Sequence, residues 1–96
     1  MGNAGQVRLT GRLICRTAEE AGILRTHLPE HIRLTRAETG CLSFAVSPTD
    51  DPLIWQVEEC FLDKAAFERH QTRTRASAWW SATAEIPRDF AISGLD

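Results

Sequence analysis

Cysteine pairs, one-sided charge and long apolar runs are all missing from this 96-residue sequence. Cys15, Cys41 and Cys60 form no CxxC motif, and an odd count argues against a disulfide framework and against a structural zinc site. Each lies in an apolar, strand-like run, where a free thiol acts as a small hydrophobe in a reducing compartment. No apolar run approaches the roughly 20 residues of a membrane span. The opening "MGNAGQVR" has no apolar signal-peptide core, and no Ser or Thr stands at the sixth position, where a myristoylation signal carries one. These absences predict a cytoplasmic protein with no membrane partner. The net charge of −2 is too small for either sign to steer binding. Arg69, Arg73 and Arg75 cluster, but Glu68 and neighbouring acids dilute them, so they read as a solvated helix face and predict no nucleic-acid partner. Repeats and low-complexity tracts are absent.

What is present is one small domain, residues 1–96 with its core at about 7–93. A 43% hydrophobic content in so short a chain implies modest burial, which a partner subunit would supplement. "VRLTGRLIC" (7–15) places Val7, Leu9, Gly11, Leu13 and Cys15 on one side of a strand by period two. Thr17 and Glu20 have capping-box spacing at the start of a helix. Ala21, Leu24, Leu28, Ile32 and Thr35 form its expected buried stripe. Pro29 predicts a kink or a second helical segment, and Gly40 a left-handed terminus. Strands follow at 41–47 and 53–61 around the turn "PTDDP", an expected antiparallel hairpin. On the second of these, Trp55, Val57, Glu59 and Phe61 share one face. Asp63 caps a second helix, "KAAFERHQTR", whose apolar side holds Ala66, Phe67, His70 and Thr74. A short helical piece at 76–85 carries Trp79 and Trp80, which cannot point the same way, and a last strand spans 88–93.

The order β-α-β-β-α-β predicts an α+β, ferredoxin-like fold: an antiparallel sheet with both helices on one face. The other face, read as still carrying apolar side chains, would then take a second copy of the sheet and close a dimeric α+β barrel.

Ala37, Glu38, Thr39, Gly40 and Cys41, then Phe44, then Glu59 and Phe61, then Asp63, Ala65 and His70 together resemble the antibiotic biosynthesis monooxygenase domain family. Thr39 stands where the family usually has Pro, and Phe61 where Trp is frequent. The resemblance spans about residues 7–93. It implies a homodimeric barrel whose pocket lies between sheet and helices. It also implies cofactor-free oxygenation, in which a small aromatic or quinol-like substrate supplies the electrons and no cofactor is bound. The Tyr and Asn implicated in the family's polyketide oxygenases have no counterpart, since Tyr is absent and Asn3 is at the N-terminus. The haem-degrading branch is not matched either, for strand one has no Asn and no His follows His70.

The expected site combines the face pattern with that resemblance. His70, whose ordinary pKa is near ~6.5, is the candidate base, with Glu59 orienting it. Phe44, Trp55, Phe67 and Trp79 are the expected apolar walls for a planar substrate. Glu38 is expected to meet nearby backbone or arginines at the end of helix one and to take no catalytic part. His27 and His31 are four apart, but no carboxylate of matching geometry accompanies them, so no metal is expected. The alternative reading is a non-oxygenase using the same pocket: a ligand-binding or stress-response barrel, or an isomerase.

Overall fold

Strict alternation of buried and exposed residues builds the first strand: Val7, Leu9 and Leu13 are buried, while Arg8, Thr10 and Arg12 are exposed. The computed structural model describes residues 5–95; Asn3 and the "MGNA" opening lie outside them. The element order is β1 (Val7–Ile14), α1 (Ala18–Arg36), β2 (Cys41–Pro48), β3 (Ile54–Phe61), α2 (Lys64–Arg75), α3 (Ala78–Thr83) and β4 (Arg88–Ser93). The four strands form one antiparallel sheet in the order β2-β3-β1-β4. This is the ferredoxin-like arrangement, with the short α3 added before β4.

Register decides what meets the helices. One row across the sheet is Phe44, Glu59, Leu9 and Ile92; the next is Val46, Val57, Gly11 and Phe90. From this face Val7, Leu9, Leu13, Trp55, Val57 and Phe61 join Leu24 and Leu28 of α1 and Ala66 and Phe67 of α2 in a single core. Each such large side chain contributes about 1.5–3 kcal/mol of burial.

Local signals set the helix ends. Thr17 accepts from the Glu20 N–H, Asp63 from that of Ala66, and Ser77 from that of Trp80. Of the two outcomes expected at Pro29, a separate second segment does not occur: Pro29 is exposed and the helix continues through it to Arg36. Gly40 has the expected positive φ of +91°, but it closes the turn into β2, four residues beyond the last helical residue. Its carbonyl accepts from the Leu62 N–H at 2.8 Å, and a Cβ there would lie 2.6 Å from that of Ala66.

The outer face of the sheet carries Ile14, Ile54 and Cys60, as the expectation of remaining apolar side chains required, but Arg8, Thr10, Arg12, Gln56, Glu58 and Asp89 make it largely polar. Thr10 donates to Glu58 at 3.2 Å, Gln56 to Glu58 at 3.3 Å, and Arg12 to Asp89 at 3.3 Å. With helices on one side only, the period-two alternation sends these polar residues outward. Among the described residues no helix is long and apolar enough to cross a membrane.

Candidate active site

A cavity of about 160 Å³ lies between the inner face of the sheet and the helices. Phe44, Val57, Glu59 and Leu9 form its floor; His31, His70, Thr74 and Trp79 form its helical side; Phe90, Ile92 and Arg88 of β4 complete it. Ile92 is exposed, so the cavity opens toward β4.

His70 is the most connected group in it. Its position on the buried side of α2 follows from the spacing of Ala66, Phe67 and Thr74. The ring lies 4.8 Å from that of Phe61. Nδ1 meets Glu38 Oε1 at 2.9 Å, while Nε2 faces Thr74 Oγ1 at 3.4 Å and Glu59 Oε1 at 3.7 Å. Glu38 is held in turn by the Arg73 guanidinium, which also donates to Thr35 Oγ1 at 2.9 Å. An ionised Glu38 selects the tautomer with the proton on Nδ1 and leaves the Nε2 lone pair toward Glu59 and the cavity.

The electrostatics follow from burial. Glu59 is pushed up to about 7, first by loss of solvent and then by the charge of Glu38. Burial lowers the His70 pKa, outweighing the Glu38 carboxylate and its hydrogen bond, which favour the imidazolium. His31 falls to about 3, mainly by burial and then by the nearby His70, Arg73 and Arg88. At neutral pH the cavity therefore holds two neutral imidazoles beside a carboxyl group near its midpoint. Burial also lowers the pKa of Arg88, whose guanidinium donates to Thr83 and Ile86 carbonyls and lies 5.0 Å from the Trp80 ring centre.

Of the six residues expected at the site, Phe44, Glu59, His70 and Trp79 line this one cavity. Trp55 and Phe67 do not. Trp55 is buried in the core, paired along the sheet with Leu13 and Pro48. Phe67 packs on Phe61, ring centres 5.7 Å apart, nearly one helical turn before His70. The hydrogen bond that orients His70 comes from Glu38, not from Glu59. Glu38 meets Arg73 of α2 and not, as expected, an arginine at the end of helix one, and it also reaches the imidazole. His70 and Arg73 are three apart on α2, a spacing that lets one carboxylate engage both. His31 is the second residue missed. The buried stripe of α1 runs Ala21, Leu24, Leu28, His31, Thr35, with Ile32 only half-buried. A stripe stepping by three and four could have been read through 31, had a histidine been admitted to a buried face. His31 stacks flat on Trp79 at 4.6 Å and lies nearly perpendicular to the Phe44 ring at 5.3 Å. Among the described residues no group of three or more His, Cys, Asp or Glu is arranged to hold a metal ion.

A four-stranded ferredoxin-like sheet with an acid–imidazole–acid cluster in a mostly apolar cavity defines an α+β fold with an internal polar site. The sequence model of the family described as antibiotic biosynthesis monooxygenase matches residues 16–81, and the chain belongs to that family. Similar solved structures include Rv0793 from Mycobacterium tuberculosis, at 24% identity and TM-score 0.73, covering 96% of this chain and 97% of that one. SnoaB, a cofactor-independent oxygenase from Streptomyces nogalater, aligns at 12% identity and TM-score 0.78, covering 94% and 92%. Protein SO0527 from Shewanella oneidensis aligns at 22% and 0.72, covering 95% and 89%. At these identities the likeness establishes the fold. No curated protein matches the sequence.

Proposed function

We propose that the protein is a cofactor-independent monooxygenase acting on a small aromatic or quinol-like substrate. The observation that carries this reading is the His70 ring, fixed through Nδ1 by Glu38 while Nε2 faces Glu59 inside an apolar cavity. Family membership and the likeness to a cofactor-independent oxygenase support it.

In this reading His70 Nε2 takes a phenolic proton, and Phe44 and Trp79 hold the ring. Glu38 is a positioning residue and stabilises the imidazolium that forms. The substrate anion passes an electron to dioxygen, the radical pair joins as a carbon–peroxide bond, and that carbon then gives up its hydrogen as a proton while the O–O bond breaks. One oxygen remains on the ring as a carbonyl and the other leaves as water, so the two electrons that reduce this second oxygen also come from the substrate. Glu59, with its pKa near neutrality, supplies a proton to the departing oxygen.

Oxygen uptake with single-ring quinols, dihydroxynaphthalenes and anthrones tests the reading. His70→Ala is expected to lower kcat/KM by at least about a hundredfold, the usual scale of a lost general base. No uptake by the wild type, or equal uptake by the variant, overturns it. Because burial lowers the His70 pKa, the rise of kcat/KM with pH is expected below the ordinary histidine value.

The family's typical dimer extends the proposal to assembly. The outer sheet face, polar and internally hydrogen-bonded, would meet a second copy and close the barrel. Light scattering is expected to give twice the chain mass at micromolar concentration; a stable folded monomer overturns this part alone.

A further inference from the structure

Three buried side-chain polar atoms among the described residues have no hydrogen-bond partner, and two of them, Glu59 Oε1 and His31 Nδ1, belong to residues lining the same cavity. Buried polar atoms are nearly always satisfied, and leaving one unpaired is costly. Both residues line the cavity, so an occupant with two polar groups would offer each of them a partner. The enclosed part of the cavity suits a single ring: about 160 Å³ is close to the ~150 Å³ of an apolar cavity that holds benzene. The flanking surfaces are aromatic. Trp79 is covered on one face by His31, the Phe44 ring stands nearly perpendicular to that of His31, and the His31 and His70 rings are 6.0 Å apart.

We infer that His31 is a positioning and specificity-determining residue, binding the second oxygen of a single-ring dihydroxyaromatic whose first oxygen lies at Glu59 and His70. The inference rests on the aromatic-substrate reading above and narrows it. A neutral imidazole suits the task, because it accepts from a hydroxyl or donates to a carbonyl by changing tautomer and brings no charge into the cavity. The same bond persists as a quinol hydroxyl becomes a quinone oxygen. Phe44 flanks both poles, its ring 5.3 Å from that of His31 and 6.0 Å from that of His70, and gives the two polar ends a shared apolar wall that a ring would contact.

Binding measured under nitrogen separates this inference from the oxygen chemistry. The probes are phenol, 1,4-dihydroxybenzene and a dihydroxynaphthalene, followed by calorimetry and by quenching of tryptophan fluorescence. The single-ring diol is expected to bind about tenfold more tightly than phenol, the gain of one further hydrogen bond. His31→Phe keeps a flat ring against Trp79 and is expected to bring the diol down to the affinity of phenol while leaving phenol unchanged. The ring nitrogens of His31 in the wild type should shift in the ¹⁵N NMR spectrum with the diol and not with phenol, a readout that needs no variant. Equal weakening of both probes would mean that one oxygen bridges the two histidines and would overturn the assignment. So would tighter binding of the two-ring diol, or an unmoved His31 signal. Failure of every probe to bind overturns the aromatic pocket as well, whereas His31-dependent binding without oxygen uptake supports the inference and removes only the monooxygenase reading.

Discussion

Glu58 and Glu59 are neighbours in the chain and occupy opposite worlds. Glu58 points outward, exposed, and accepts from Thr10 and Gln56 among water-accessible polar residues. Glu59 points inward, its side chain 8% exposed, with one oxygen unpaired and its pKa pushed up to about 7. The same side chain on the same strand is a solvated surface group on one face and a desolvated carboxyl with a raised pKa on the other. Covering one face of the sheet with helices, and not the carboxyl itself, makes the difference: loss of solvent is the larger cause of the shift.

Replacing each acid by its neutral isostere sharpens this contrast, and Glu59→Gln should have the largest effect. The folded pKa of Glu59 is raised, so its contribution is fully present below the ordinary value of 4.5 and is lost as pH rises through about 7. Between those values the unfolded chain ionises while the folded one resists. The shift corresponds to about 3 kcal/mol of stability lost at alkaline pH. Glu59→Gln is expected to be more stable than wild type above pH 7 by up to that amount and nearly equal to it in acid, as read from urea midpoints between pH 4 and 8. A difference between the two proteins that does not change with pH would show that Glu59 is not desolvated. The buried His31 acts in the opposite direction: its pKa is depressed to about 3, so its contribution is lost as pH falls from 6.5, and this background is common to both proteins.

Glu38→Gln should act next, on the pH profile more than on stability. Glu38 raises the pKa of His70 and that of Glu59. Without its charge, the rise of kcat/KM should move to lower pH, and so should any fall that follows ionisation of Glu59. The groups facing His70 that remain are Arg73, Thr74, Glu59 and His31, and of these Arg73 lowers its pKa further. An unmoved profile would remove the Glu38–His70 contact from the mechanism. Glu58→Gln should do least: an exposed acid with two weak partners is expected to leave both the urea midpoint and the pH profile within error of wild type. A pH-dependent stability change there as large as at Glu59 would break the contrast between the two faces.

Periodicity alone separated these neighbours. Period two along "LIWQVEECF" put Glu59 with Trp55, Val57 and Phe61, and the spacing of Ala66, Phe67, His70 and Thr74 put the imidazole on the buried side of α2. Those patterns, with Asp63 and Thr17 as caps and "PTDDP" as a turn, carried the strand order and the helix starts. They are local signals, fixed by backbone geometry within a few residues. Four of the six expected site residues line the cavity for the same reason.

Contacts between elements were beyond such signals. Glu38 reaches His70 across 32 positions of sequence, because the turn closed by Gly40 lies against Ala66 of α2. His31 meets Trp79 because α1 packs on α3, a short helix that the ferredoxin-like plan does not require. Trp55 shares a strand face with Glu59 yet stays in the core, since facing the helices does not specify which rows of the sheet the helices cover closely and which they leave open. The sequence by itself determined which face each residue takes, because side-chain direction follows from backbone period. Tertiary structure decided which partner each buried polar group meets and where space was left between them, because helix placement over the sheet depends on the packing of all the elements at once.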